Sequence, residues 1–190
     1  MTGICGDPEK KQGAPLKFCS VVRKQVKCGA VAIIKRGALM SVGQFCNRDT
    51  IIVNPQDSIV EAAKLMRQHH AGCLIVTENK DGLCLPVGIV TDRDLVIEIL
   101  AAEIRPEDVN VGDIMSFDLL TVRESDGLWD TLQRMRAKGV RRVPVVNEQG
   151  ALAGILSSDD LLEILAGELG ELSKLVTREQ QRERLKRPLI

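Results

Sequence analysis

The amino-acid sequence overlays itself. At an offset of 69, residues 42–76 fall onto 111–145 without a gap. Eight of the 35 pairs are identical: Val42/Val111, Gly43/Gly112, Asp49/Asp118, Val53/Val122, Asp57/Asp126, Met66/Met135, Arg67/Arg136 and Val76/Val145. Most other pairs keep polarity, as in Ile51/Leu120, Ile59/Leu128 and Leu74/Val143. Three extra residues then enter the first copy around Asn79 to Gly82. The offset becomes 66, and Gly88-Ile89-Val90-Thr91 overlays Gly154-Ile155-Leu156-Ser157, with Asp94 on Asp160 and Leu95 on Leu161. A duplication of this period makes each copy one supersecondary unit that must bury its apolar face against a neighbour. The length change falls beside Asp81-Gly82, where a hairpin loop tolerates it.

Each copy reads as strand, helix, strand, strand, helix, which predicts an α/β (α+β) fold. Thr50 to Val53 is short and β-branched, and Pro55 stops it. Ser58-Ile59-Val60-Glu61 has capping-box spacing, and Ile59, Ala62, Ala63 and Met66 follow on one helical face. Leu74 to Thr77 and Val87 to Val90 predict a hairpin, after which Thr91 opens a helix with Leu95, Ile99 and Leu100 expected inward. The second copy repeats the pattern with Leu119 to Val122, Leu128 to Met135, Val143 to Val146, Leu152 to Leu156, and a helix from Leu161 onward. Neither sheet carries enough aliphatic surface to close a core alone. Two β-α-β-β-α repeats, packed sheet edge to sheet edge as a pseudo-two-fold pair, are therefore expected. The expected organisation is a basic leader over 1–40, repeats over 41–105 and 106–168, and a C-terminal helical extension over 169–190.

Composition narrows the function. Of 190 residues, 26 are Lys or Arg and 26 are Asp or Glu, a balance that argues against a general polyanion binder. Aromatics are 2%, too few for the stacking platforms of single-strand nucleic-acid binders. The length excludes a barrel enzyme of about 250 residues. Residues 1–39 carry a formal charge of +6 and the remainder −6. The basic stretch is expected to be an unstructured leader or an upstream mis-assigned start, with a mitochondrial transit peptide as the rival. Its longest apolar run, Cys28 to Ile34, is far short of the ~20 residues that span a bilayer. The six cysteines form no C-x-x-C pair, which points to reduced thiols in a cytoplasmic protein.

Thr91-x-x-Asp94 and Ser157-x-x-Asp160 each sit where a strand turns into a helix. At minimum they are capping boxes. Open amides and a hydroxyl at a helix start also attract phosphate, and an Asp one turn inside can accept both hydroxyls of a ribose. Arg141 and Arg142 precede Val143-Pro144-Val145; adjacent side chains on a strand point to opposite faces, so only one can face a given cleft. The first copy has Gly72-Cys73 in the aligned places, with His69-His70 just before. That histidine pair suits a helix end; a metal role with Cys73 is the weaker alternative, because no carboxylate completes the set. No P-loop, nucleophile elbow, zincin motif or Cys/His nucleophile arrangement occurs, so no catalytic residue is expected.

Gly88-Ile-Val-Thr-Asp-Arg-Asp-Leu95 and Gly154-Ile-Leu-Ser-Ser-Asp-Asp-Leu161, with Val111-Gly-Asp-Ile-Met115 and Arg141-Arg-Val-Pro-Val145, resemble a tandem pair of cystathionine β-synthase (CBS) domains. The resemblance covers about residues 41–168. It implies a stand-alone, non-enzymatic regulatory module that needs no cofactor. Its ligand would be an adenine nucleotide (AMP, ADP or ATP) or S-adenosylmethionine, bound between the copies. Asp94 and Asp160 would hold ribose. Thr91, Ser157 and Arg141 or Arg142 would lie near phosphate, and main-chain groups around Thr50, Ile52, Ala71 and Gly72, with Val140 in the second copy, would cradle the base. The missing arginines of the first copy predict two unequal sites. A regulated enzyme or transporter is the implied partner; membrane and nucleic acid are not.

Past the repeat, Leu162, Leu165, Leu169, Leu172 and Val176 alternate spacings of three and four, and Arg178, Arg182, Arg184, Lys186 and Arg187 follow. The first half of this seam could pack on its own sheet; the second half predicts a partner helix in a homodimer. Gly167 and Gly170 weaken the helix between them. A pure interaction module with vestigial clefts is the alternative function.

Overall fold

Two runs rich in Val, Ile and Leu in each copy, each bounded by turn residues, become the inner and edge strands of two small sheets. The computed structural model describes residues 40–186; all but Met40 of the expected basic leader, 1–40, and Arg187 lie outside the described residues. In the first sheet β1 (Ile52–Val53) runs parallel to β2 (Cys73–Lys80), which pairs antiparallel with β3 (Leu83–Thr91). The second sheet repeats this with β4 (Val122–Arg123), β5 (Arg142–Val146) and β6 (Leu152–Ser157). The bulge between Val76 and Thr77 recurs between Val145 and Val146, at equivalent positions of the two copies. The edge strands β3 and β6 approach each other, as the duplication predicts.

Helix α1 (Ile59–His69) begins at Ser58, whose Oγ accepts the Glu61 N–H at 3.1 Å, and ends on His70 at φ 51°. Its equivalent α4 (Leu128–Lys138) ends on Gly139 at φ 71°, a left-handed conformation that glycine adopts without a Cβ penalty. Both helices lay an apolar stripe on their sheets: Ile59, Ala62 and Met66 in one, Leu128, Thr131 and Met135 in the other. α2 starts as a single turn, Asp92–Asp94, and continues as a π-helix over Leu95–Leu100. Ile99 is buried there, but Leu100 is 69% exposed, against the sequence expectation. Consecutive helical residues cannot share a face, and Ile99 holds the inward place.

Each copy lends its leading segment to the other. The 3-10 turn Val42–Gln44 precedes the first sheet in sequence, yet Val42 is fully buried in the cluster of Val122, Leu128, Val143 and Leu156, with Met40 and Phe45 packed beside it. Conversely α3 (Val111–Ile114) inserts Val111 and Met115 among Val53, Ile59, Leu74 and Val90. The backbone hydrogen bonds match. Val42 N–H donates to the Asp126 carbonyl and Val111 N–H to the Asp57 carbonyl, both at 2.9 Å. Gly43 donates to Glu124 at 2.9 Å and Gly112 to Pro55 at 2.8 Å. The small sheets that could not close a core alone are closed reciprocally, and burying each valine is worth roughly 1.5–3 kcal/mol.

α5 (Ser158–Lys186) is the longest described element. Only its start packs on the sheet: Leu161 is buried and Ile164 half-buried, whereas Leu162 and Leu165 are exposed. The sheet takes the face one residue before the seam, because the cap at Ser157 sets Leu161 over the core. No described helix is long and apolar enough to cross a membrane.

Candidate functional site between the copies

Where β3 turns into α2, Thr91 and Asp94 close a two-way cap. Thr91 Oγ1 accepts the Asp94 N–H at 3.2 Å, while Asp94 Oδ2 accepts the Thr91 N–H and hydroxyl, each at 2.8 Å. Where β6 turns into α5 the same geometry recurs: Asp160 Oδ2 accepts the Ser157 N–H at 2.7 Å and its hydroxyl at 2.6 Å, and Ser157 Oγ accepts the Asp160 N–H at 3.1 Å. Both capping boxes read from sequence are present. In each, the cap consumes one carboxylate oxygen, leaving Oδ1 with no hydrogen-bond partner among the described residues. A carboxylate held in rotamer by two hydrogen bonds to one oxygen, with the other oxygen still open, is a preorganised acceptor.

The strand registers bring the other predicted residues to these turns. Cys73, first in β2, pairs with Thr91, and Arg142, first in β5, pairs with Ser157. Asp92 N–H donates to the Gly72 carbonyl at 3.1 Å, and Ser158 N–H donates to the Arg141 carbonyl at 2.8 Å. Ala71 and Val140 each donate their amide to the last turn of the preceding helix, at Met66 and Met135. Their amides are therefore committed; what remains for a ligand is carbonyl and side chain. Thr50 sits in the segment before β1 with its N–H on the Arg48 carbonyl at 3.0 Å, and Ile52 pairs with Ile75.

Electrostatics tie the copies together. Burial pushes the Cys73 thiol up to about 11, and three charges act on the same sulfur: Arg142 lowers its pKa, while Asp94 and Asp92 raise it. Cys73 and Arg142 are equivalent residues of the two copies, so the charge of Arg142 reaches across the pair to the buried sulfur on which Asp94 also acts. Around Asp160 the corresponding thiol is Cys46, also raised by burial, with Arg48 lowering it and Glu124 and Asp160 raising it. Arg48 is held by Glu124 at 2.7 Å. Arg142, which by register starts at the Ser157 turn, has no ion-pair partner among the described residues, whereas Arg48 is already neutralised. Cys46 and Asp92 were not singled out from sequence; Cys73 was, but only as the residue aligned on Arg142 and as a weak metal ligand.

A cavity of about 400 Å³ lies at the opposite end of β5, lined by Thr121, Arg123, Asp126, Arg134, Asn147 and Glu148 among others. None of the ligand-binding residues expected from sequence lines it. Its arginine is occupied: Arg134 donates to Asp126 at 3.0 Å and to the Thr121 carbonyl at 2.9 Å. His69 and His70 end α1, and no group of three metal-ligating side chains converges among the described residues.

Comparison with known proteins places this architecture. The CBS domain profile matches residues 42–101 and 111–167. An uncharacterised protein of Methanopyrus kandleri is 38% identical over 125 residues, covering 66% of this chain and 62% of its own length. The chain thus spans less than two thirds of that relative. A signal-transduction protein with CBS domains from Burkholderia ambifaria, described as putative, superposes with a TM-score of 0.58 at 26% identity, over 66% of this chain and 93% of that one. The CBS domain pair solved with 5′-methylthioadenosine and S-adenosyl-L-methionine superposes at 0.59 with 24% identity, over 68% and 98%. Two profile matches, two equivalent sheets and the reciprocal exchange of leading segments agree: the chain belongs to the CBS domain family, of which it carries two copies.

Proposed function

We propose that this chain is a non-catalytic regulatory module that senses an adenosine-containing ligand, AMP, ADP, ATP or S-adenosylmethionine, at the strand-to-helix turns between its two copies. The observation that carries the reading is the pair of aspartates with one oxygen locked in a cap and the other open. An open carboxylate oxygen is what the hydroxyls of a ribose require. Arg142, which acts on the same Cys73 sulfur as Asp94 and has no ion-pair partner among the described residues, would meet a phosphate or a carboxylate, and Thr91 and Ser157 would border it. The two turns differ in their arginines, so the reading includes unequal affinities, with the Asp94 side tighter for anionic ligands. Ligand bridging the copies would stabilise their mutual packing and shift the population toward it. A cytoplasmic enzyme or transporter would receive that signal.

The fold of a relative solved with methylthioadenosine and S-adenosylmethionine supports the ligand class. Calorimetric titration with the four ligands tests it, against wild type, Asp94→Asn, Asp160→Asn and the double variant. Loss of a hydrogen bond to a charged group costs about 1.5–3 kcal/mol, so each effective substitution should weaken binding roughly 10- to 150-fold. Equal binding by wild type and the double variant would overturn the ribose assignment. No binding of any ligand by folded wild type, with self-association intact, would favour the interaction-module reading that the exposed α5 seam suggests.

A further inference from the structure

Helix α5 holds 29 residues, about 43 Å at 1.5 Å per residue. Residues 171–186 are exposed throughout. Yet its outer surface is not uniformly polar. Leu162, Leu165, Leu169, Leu172 and Val176 lie at spacings of three and four along one face and stay 37–65% exposed. A solvated helix gains nothing from such a stripe, and two apolar heptads left in water mark an interaction surface.

Charge says what covers it. From 159 to 171 the helix carries Asp159, Asp160, Glu163, Glu168 and Glu171 and no base. From 174 to 186 it carries Lys174, Arg178, Arg182, Arg184 and Lys186 against Glu179 and Glu183. A helix acidic in its first half and basic in its second complements a copy of itself only when the copy runs the other way. A parallel copy would set acid on acid and base on base.

We propose that α5 pairs antiparallel with α5 of a second copy of this chain, Leu165, Leu169, Leu172 and Val176 forming the shared apolar seam. The register follows from the spacing. Placing Leu169 opposite Leu172 of the second copy makes the pair self-complementary, with Leu165 opposite Val176, and sets Glu163 against Arg178 and Asp159 against Arg182. Because α5 is already formed and capped in each subunit, pairing does not have to pay for helix nucleation. The proposal is independent of the ligand reading, since its apolar seam and the tested pair Glu163 and Arg178 lie outside both turns.

The test uses the full chain and light scattering after size exclusion, with thermal melts as the control for folding. Leu169→Glu combined with Leu172→Glu should halve the mass of the wild-type assembly and leave the melting temperature of the body in place. Orientation is read by charge reversal. Arg178→Glu should weaken self-association roughly two- to tenfold, and adding Glu163→Arg in the same chain should restore it. A wild type that is monomeric at hundreds of micromolar, or an unchanged mass in the double leucine variant, overturns the proposal. So does unchanged association of Arg178→Glu, the outcome of a parallel pair, in which residue 178 meets its own counterpart and like charges stay opposed. A monomeric wild type whose seam becomes exposed only when residues 1–39 are deleted would show that the chain's own leader covers it, and overturns it equally.

Discussion

Gly43 lies so close to Glu124 that a β-carbon on it would come within 2.9 Å of the Glu124 Cβ and 3.1 Å of its carbonyl oxygen. The neighbour is backbone of the opposite copy and cannot swing away. Gly43→Ala should therefore push the Val42 plug out of the second core and destabilise the protein by about 1–3 kcal/mol, read as a lower denaturation midpoint in urea. Gly112→Ala, whose β-carbon would meet the Pro55 carbonyl at 3.1 Å, should act in the same direction on the first core. Substitutions no worse than Gly167→Ala at either position would show that the exchanged segments are loosely held.

Thr131 is fully buried and its hydroxyl finds no hydrogen-bond partner among the described residues. The equivalent residue of the first copy is Ala62, also fully buried. An unsatisfied buried hydroxyl costs about 1–3 kcal/mol, so Thr131→Val, which keeps the shape and removes the polar atom, should stabilise by roughly 1–2 kcal/mol. Calorimetric melting checks the sign; a loss of stability would mean the hydroxyl has a partner in solution.

The Cys73 thiol titrates near 11 in the folded protein, above the ordinary 9.0, chiefly because burial disfavours the thiolate. A folded-state pKa above the unfolded one stabilises fully below pH 9, and the contribution drains away as pH rises from 9 toward 11. Folding stability measured across that window should fall by up to about 2–3 kcal/mol in wild type and by less in Cys73→Ala. Arg142→Ala should move the thiol further up, seen as slower alkylation at pH 9, because the guanidinium lowers it now. Unchanged alkylation would place Arg142 away from Cys73 and weaken the case for a composite site.

Gly167 and Gly170 of α5 have open space where a β-carbon would go. Replacing either with Ala should stabilise the helix by about 1 kcal/mol. Slower amide exchange over residues 171–186 would report it without disturbing the body.

How far the sequence reached depended on the range of the interaction. The duplication, the caps at Thr91-x-x-Asp94 and Ser157-x-x-Asp160 and the hairpins were legible because each is a local pattern, and the structure holds them all. Strand starts slipped. The first strand of the second copy begins at Val122 rather than Leu119, and Pro144 has no N–H to give at the position where Ile75 donates to the Ile51 carbonyl. The identity of Val42 with Val111 showed that those positions matter, but a single chain does not say whose core a valine fills. The same holds for Gly88, which faces Met115 and Ser116, and Gly154, which faces Cys46 and Asn47. Those contacts join residues distant in sequence, and no periodicity encodes them. At the candidate site, the aspartates were visible from their caps, whereas the convergence of Cys73, Asp92 and Arg142 needed the strand register.

The swapped leading segments also bear on how such a protein can be divided. A fragment spanning only the second repeat would emerge from the ribosome with a hole where Val42 and Phe45 belong, and an unclaimed wedge at Val111. Two such fragments fit each other, hole to wedge, so halves of this molecule should recombine as pairs rather than persist singly. Cutting the chain in the middle would yield not two smaller proteins but two pieces of one puzzle.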